Sequence, residues 1–152
     1  MGMTTHGNGL EHSIGFAMGV TYRKLSNLLQ QRLKEHDITP EQWSVLYQIS
    51  RANGLIQKEI AERAGKDKPT TTRILDHLER KGLIYKKIGE NDRRSFLVNI
   101  TDNGMALIQR TAPIERQAAD DIKQCVSNEE YEVLMELLLR IGNHVNELTD
   151  RE

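Results

Sequence analysis

A mainly α-helical fold with one small β-hairpin is predicted by three features of this 152-residue chain. Apolar residues recur at helical spacing along most of its length. Between Ile84 and Ile100 that spacing gives way to alternation, the period of a strand. Capping residues, with proline just inside and glycine just beyond, punctuate the helical runs.

The elements follow in order. "MGMTTHGNG" has no basic start leading into an apolar run, so residues 1–10 read as a disordered lead-in and not as a signal peptide. From Glu11 to about His36, Ile14, Met18, Tyr22, Leu25, Leu28, Leu29 and Leu33 form one helical stripe. In "DITPEQWSVLYQI", Thr39 caps, Pro40 takes the first helical position and Gln42 completes a capping box. Trp43, Leu46 and Ile49 or Ser50 form the inner face of that helix, which stops at Asn53-Gly54. A short helix from about Gln57 to Ala64 ends at Gly65. "DKPTTTRILDHLERKGLI" offers Asp67 as a cap, Ile74, Leu75 and Leu78 as the inward face, and Gly82 as the stop.

"YKKIGENDRRSFLVNIT" is the hairpin. Ile84, Lys86 and Ile88 share a face before the turn, and Phe96, Val98 and Ile100 share one after it. Two long helices finish the chain, from about Asp102 to Cys125 with a bend at Pro113, and from Asn128 to about Thr149. The last carries a wide stripe of Tyr131, Leu134, Met135, Leu138, Ile141, Val145 and Leu148.

Helix, turn, helix, hairpin is the order of a winged helix-turn-helix, here about residues 40–101. The flanking helices, about 11–36 and 102–149, complete a single domain spanning 11–152. Their stripes exceed what the small middle unit can cover, and a second copy of the chain is the partner they call for. No apolar run is long enough to span a bilayer. The lone Cys125 excludes an intrachain disulfide, which suits a cytoplasmic protein.

Net charge is −1, but it is unevenly spread. Gln57–Thr101 holds eleven Lys/Arg against seven Asp/Glu, while the stretch from Asp102 onward holds five against eleven. A basic middle in an otherwise acidic chain points to a polyanionic partner for the winged unit. With Ile74, Leu75 and Leu78 inward, Lys68, Thr70, Thr71 and Arg73 are expected on the outward side of the second helix's first turns, and His77 one turn later. Short hydroxyl side chains allow close approach to bases, and arginine can donate twice to guanine or clamp a phosphate. Lys86 is expected at the phosphate backbone, and Arg93 or Arg94 in the adjacent minor groove. Asp92, repelled by DNA, is suited to holding a wing arginine.

"ITPEQWSVLYQI", "KEIAERAGKDKPTTTRILDHLERKGLI" and "ENDRRSFLVNITDNG" resemble consecutive signatures of the MarR family of bacterial transcription regulators. The strongest piece is Asp92-Arg93-Arg94 followed by Ile100-Thr101 and Gly104, similar to the family's Asp-x-Arg wing leading into Leu-Thr-x-x-Gly. The likeness extends from about Glu11 to Thr149. It implies a homodimeric regulator, more often a repressor than an activator, with two wings straddling a pseudo-palindromic double-stranded operator. By that match Arg73 is the recognition-helix arginine and Arg94 the wing-tip arginine. The resemblance also implies a pocket for a small aromatic or amphipathic ligand, here among Met18, Tyr22, Leu25, Trp43 and Tyr47. Two departures stand out: Ile56 replaces a capping Thr or Ser, and Ile100 replaces Leu.

Other classes fare poorly. The five histidines are scattered without zinc-ligand spacing, and the helix after the wing has none, so no metal or cofactor is expected. Cys125 is far from the start of the first helix, where peroxide-sensing relatives carry their cysteine. Asp120-Asp121 and Glu129-Glu130 are neighbours whose side chains diverge on a helix, and no nucleophile–base constellation appears, so an enzyme is not expected. The remaining rival is a winged-helix module for binding proteins, which a salt titration against duplex DNA separates from a DNA reader.

Overall fold

The computed structural model describes residues 9–88 and 96–152. The expected lead-in therefore lies outside the described residues through position 8. A 3-10 turn, Leu10–His12, precedes α1 (Ile14–Leu33), whose cap is Ser13. The helix starts with the first residue of its apolar stripe, three residues after the expected Glu11, because the Ser13 hydroxyl accepts the Phe16 N–H at 3.4 Å. A further 3-10 turn, Lys34–His36, leads to Asp37 in the left-handed region at φ 52°. Aspartate tolerates that conformation better than most residues.

Helix α2 (Pro40–Ser50) carries the expected capping box. Thr39 Oγ1 accepts the Gln42 N–H at 3.1 Å, and Gln42 Oε1 accepts the Thr39 N–H at 3.3 Å. Helix α3 (Gln57–Ala64) follows, closed by Gly65 at φ 65°. Isoleucine cannot cap, but Glu59 Oε1 accepts the Ile56 N–H at 3.1 Å, so the departure at that position leaves one half of the box intact. Helix α4 (Lys68–Arg80) is capped by Asp67, whose Oδ1 accepts the Thr70 N–H at 2.8 Å.

Strands β1 (Ile84–Ile88) and β2 (Phe96–Ile100) pair antiparallel in the register Ile84↔Ile100 to Ile88↔Phe96. The free edge of β2 is partly covered by a feature that alternation did not reveal. Val98 exchanges backbone hydrogen bonds with Leu55, at 2.8 and 3.1 Å. Helix α5 (Asp102–Lys123) runs through Pro113, and α6 (Asn128–Asp150) starts from a complete Ser127–Glu130 capping box. No described helix is long and apolar enough to cross a membrane.

The chain divides into two compact units, residues 1–115 and 116–152. The first has one continuous core: Leu33 from α1, Leu46 and Ile49 from α2, Ile60 from α3, Ile74, Leu75 and Leu78 from α4, Val98 from β2, and Leu107 and Ile108 from α5. Among the described residues, one buried side-chain hydrogen bond crosses it, from Trp43 Nε1–H to Thr111 Oγ1 at 2.7 Å. That hydroxyl in turn donates to Leu107 O at 2.7 Å, so both groups are satisfied. In the second unit none of the 23 residues of α6 is buried.

Candidate nucleic-acid interface

The interface is built on α4. Its Pro69 lies in the first turn and its inner residues Ile74, Leu75 and Leu78 are fixed in the core, so the opposite side must face outward. That side presents Lys68, Thr72, Arg73 and Arg80 in exposed positions, with Thr70, Asp76 and His77 half-buried. Lys68, Pro69, Thr72, Arg73, Asp76, His77 and Arg80 together line an open cleft of about 480 Å³.

One expected reading residue is corrected. Thr71 is 0% exposed and belongs to the inner face, where its hydroxyl donates to Asp67 O at 2.7 Å. Positions 71, 74, 75 and 78 follow the i, i+3, i+4, i+7 pattern of a single helix face, so periodicity already contained this answer. Polarity alone suggested otherwise. Thr72 takes the outward place: its hydroxyl donates to Lys68 O at 3.0 Å and accepts from Gln57 Nε2 at 2.6 Å, bracing α3 against α4.

Charge partners decide which cations are free. Arg73 Nη2 lies 3.7 Å from Glu41 Oε2, and both side chains are exposed. Such a pair in water is worth little and can be exchanged for a phosphate or a base. Lys86 is more committed, with its ammonium 3.7 Å from Asp76 and 3.6 Å from Glu79 on α4 and 5.8 Å from the centre of the Phe96 ring. It ties the hairpin to α4. Asp92, Arg93 and Arg94 lie outside the described residues.

The apolar side of the hairpin is only half covered. Ile84 and Val98 are buried, while Ile88 is 60% and Phe96 46% exposed. Between this side and α3 runs a groove of about 540 Å³, floored by Ile56, Ala61, Phe96 and Val98. Among the described residues Lys58, Lys66, Lys68 and Lys86 rim it, with Glu62 as the acid. Lys58 and Lys66 were visible in the basic balance of the middle segment but not as members of one surface.

The residues expected around a ligand have two different environments. Trp43 and Tyr47 stack with ring centres 5.1 Å apart, and Trp43 is a bonded core residue. Met18, Tyr22 and Leu25 are exposed on α1. Among the described residues no group of three or more His, Cys, Asp or Glu is placed to hold a metal ion.

Comparison with known proteins bears on this geometry. The MarR family pattern matches residues 38–96. Those residues run from the start of α2 to the first residue of β2, the part of the molecule that carries the cationic face.

The chain's winged unit matches the MarR family.

Solved MarR-family structures extend the likeness beyond the winged unit. MepR of S. aureus, in a DNA complex, is 26% identical with a TM-score of 0.80, covering 88% of this chain and 99% of that one. A mutant MarR from E. coli complexed with operator DNA is 25% identical with a TM-score of 0.80, covering 89% and 99%. The transcriptional repressor CouR, bound to a 23-mer DNA duplex, is 25% identical with a TM-score of 0.79, covering 93% and 99%. The likeness to these structures therefore extends over about nine tenths of the chain.

Proposed function

We propose that this chain is a homodimeric, sequence-specific regulator of transcription of the MarR family that binds double-stranded DNA, a repressor released by a small ligand. The observation that carries the proposal is the division of α4 into two faces. Ile74, Leu75 and Leu78 anchor one face in the core, while the other presents Lys68, Thr72, Arg73 and Arg80 beside a hairpin and a lysine-rimmed groove. Rigid backing with exposed donors is what reading base edges in a major groove requires. The relatives MepR, CouR and MarR, each in a DNA complex, support the same reading.

A second copy covers the apolar surface of the terminal helices. Phe16, Met18 and Tyr22 of α1 and Leu134, Met135 and Val145 of α6 are all exposed. A dimer presents two copies of α4 to half-sites one helical turn apart, about 34 Å. In this reading Arg94 reaches the minor groove, Arg93 and Lys68 contact the backbone, Thr70 and His77 border the read bases, and Asp92 steadies the wing. A small aromatic or amphipathic compound between Met18, Tyr22 and Leu25 on α1 and Trp43 and Tyr47 on α2 lowers operator affinity by preferring a dimer of different spacing.

Arg73→Ala is the direct test. Against a duplex selected from genomic fragments by the wild-type protein, affinity falls by about 1–3 kcal/mol and discrimination at one base pair relaxes. An unchanged binding isotherm from the folded variant would remove α4 as the reading element.

A further inference from the structure

Lys81 follows the last residue of α4, where a cation favours the helix dipole or a nearby phosphate. The structure gives its ammonium a different partner. Lys81 Nζ donates to the main-chain carbonyl of Asp37 at 2.5 Å and to Gln42 Oε1 at 3.1 Å, with Asp37 Oδ2 at 3.9 Å. The side chain is 29% exposed, and Gln42 is buried. These are charge-assisted bonds across the chain, the one to Asp37 exposed and the one to Gln42 part-buried.

Both acceptors belong to the corner between α1 and α2. Asp37 is the only described non-glycine residue in the left-handed region, the point where the chain turns from the end of α1. Gln42 Oε1 is the atom that closes the α2 capping box on Thr39 N–H, so one oxygen caps α2 and receives Lys81. The other side of the α4 exit is held separately. Thr101 Oγ1–H donates to Gly82 O at 2.7 Å and Thr101 N–H to Leu83 O at 3.0 Å. A Cβ on Gly104 would collide with the same Leu83 carbonyl. Residues 81–83 are thus gripped by the α1–α2 corner on one side and by the β2–α5 junction on the other.

We propose that Lys81 is a positioning residue for DNA reading: it locks the exit of α4 to the α1–α2 corner and so fixes the angle at which Arg73 and Thr72 are presented. The proposal rests on α4 being the reading helix. Without Lys81 the exit loses its tie to the α1–α2 corner and keeps the Thr101 grip and the backbone bonds of Gly82 and Leu83 to Glu79 and Leu78. Gly82, at φ 74°, is then the residue best able to flex.

The test compares full-length wild type, Lys81→Met and Lys81→Arg. In free protein, hydrogen exchange of Lys81→Met is expected to accelerate at Thr39 and at Gly82–Leu83 and to stay unchanged along α6; unchanged exchange at the corner overturns the lock. On a duplex selected by the wild type, Lys81→Met is expected to bind about tenfold more weakly with the slope of log affinity against log salt unaltered, and Lys81→Arg to recover most of the loss. A slope reduced by about one phosphate contact makes Lys81 a DNA contact and overturns positioning. Full affinity in a variant with a loosened corner also overturns it. If the wild type selects no duplex, the proposed function fails, and the exchange experiment alone decides the lock.

Discussion

Helices α4 and α6 are both amphipathic, yet they meet their surroundings in opposite ways. Along α4 the residues Thr71, Ile74, Leu75 and Leu78 are buried almost completely. Along α6 a longer apolar stripe leaves Leu134, Met135, Val145 and Leu148 in water. Periodicity in a sequence therefore identifies a face that must be covered but not what covers it. For α4 the cover is the chain's own core, which frees the opposite side for recognition. For α6 it is the second copy of the proposed dimer.

The widest contrast comes from one leucine in each region. Leu46→Ala, in the core of the first unit, is expected to lower the unfolding free energy by about 2–5 kcal/mol, read from urea denaturation. Leu134→Asp on α6 is expected to keep the helical spectrum while sedimentation shifts from twice 17.4 kDa towards 17.4 kDa. A dimer that survives this charge would detach α6 from the interface.

Inside the core the comparison narrows to one bond. Thr111→Val leaves the Trp43 N–H buried without its acceptor and should cost about 1–3 kcal/mol in thermal or urea melts. Combining it with Trp43→Phe should cost less than the two losses summed, because the bond can be lost only once.

The smallest effects are those of pH, and two carboxyls should act with opposite sign. The Thr70 backbone N–H, then its hydroxyl, holds Asp67 below the usual carboxylate range. Its cap therefore stabilises α4 at neutral pH, and that contribution is lost as acid takes the solution below pH 4, the ordinary value being 3.8. Burial pushes Glu115 above its ordinary 4.5, so its native state favours the protonated form, and its contribution is lost as pH rises through the raised value. Glu115→Gln should thus raise neutral-pH stability slightly and flatten the acid side of the profile, whereas Asp67→Ala should weaken the cap near pH 7 and matter progressively less as pH falls through the lowered Asp67 value. Melting curves from pH 3 to 7 check both.

Much of the fold was legible because its signals are local. Thr39, Asp67 and Ser127 cap where their side chains can reach the third N–H, and Gly65 and Gly82 end helices by adopting positive φ. The reading face was less legible. Thr71 was misplaced because a hydroxyl looks polar until its own helix supplies the acceptor, Asp67 O. Lys86 carries the same charge as Lys87, yet Asp76 and Glu79 claim it, and they lie ten and seven residues earlier on another element.

What the sequence determined by itself is therefore the set of elements, their capped ends and the faces that must leave water, since each follows from hydrogen bonds and spacings within a few residues. Only the tertiary structure decided how those faces are used. It joined Trp43 to Thr111 across 68 positions and Lys81 to Asp37 across 44, and it paired Leu55 with the edge of β2. The reason is physical: a partner for a buried donor or a cation is selected by distance after the chain has folded, and no local spacing encodes that distance.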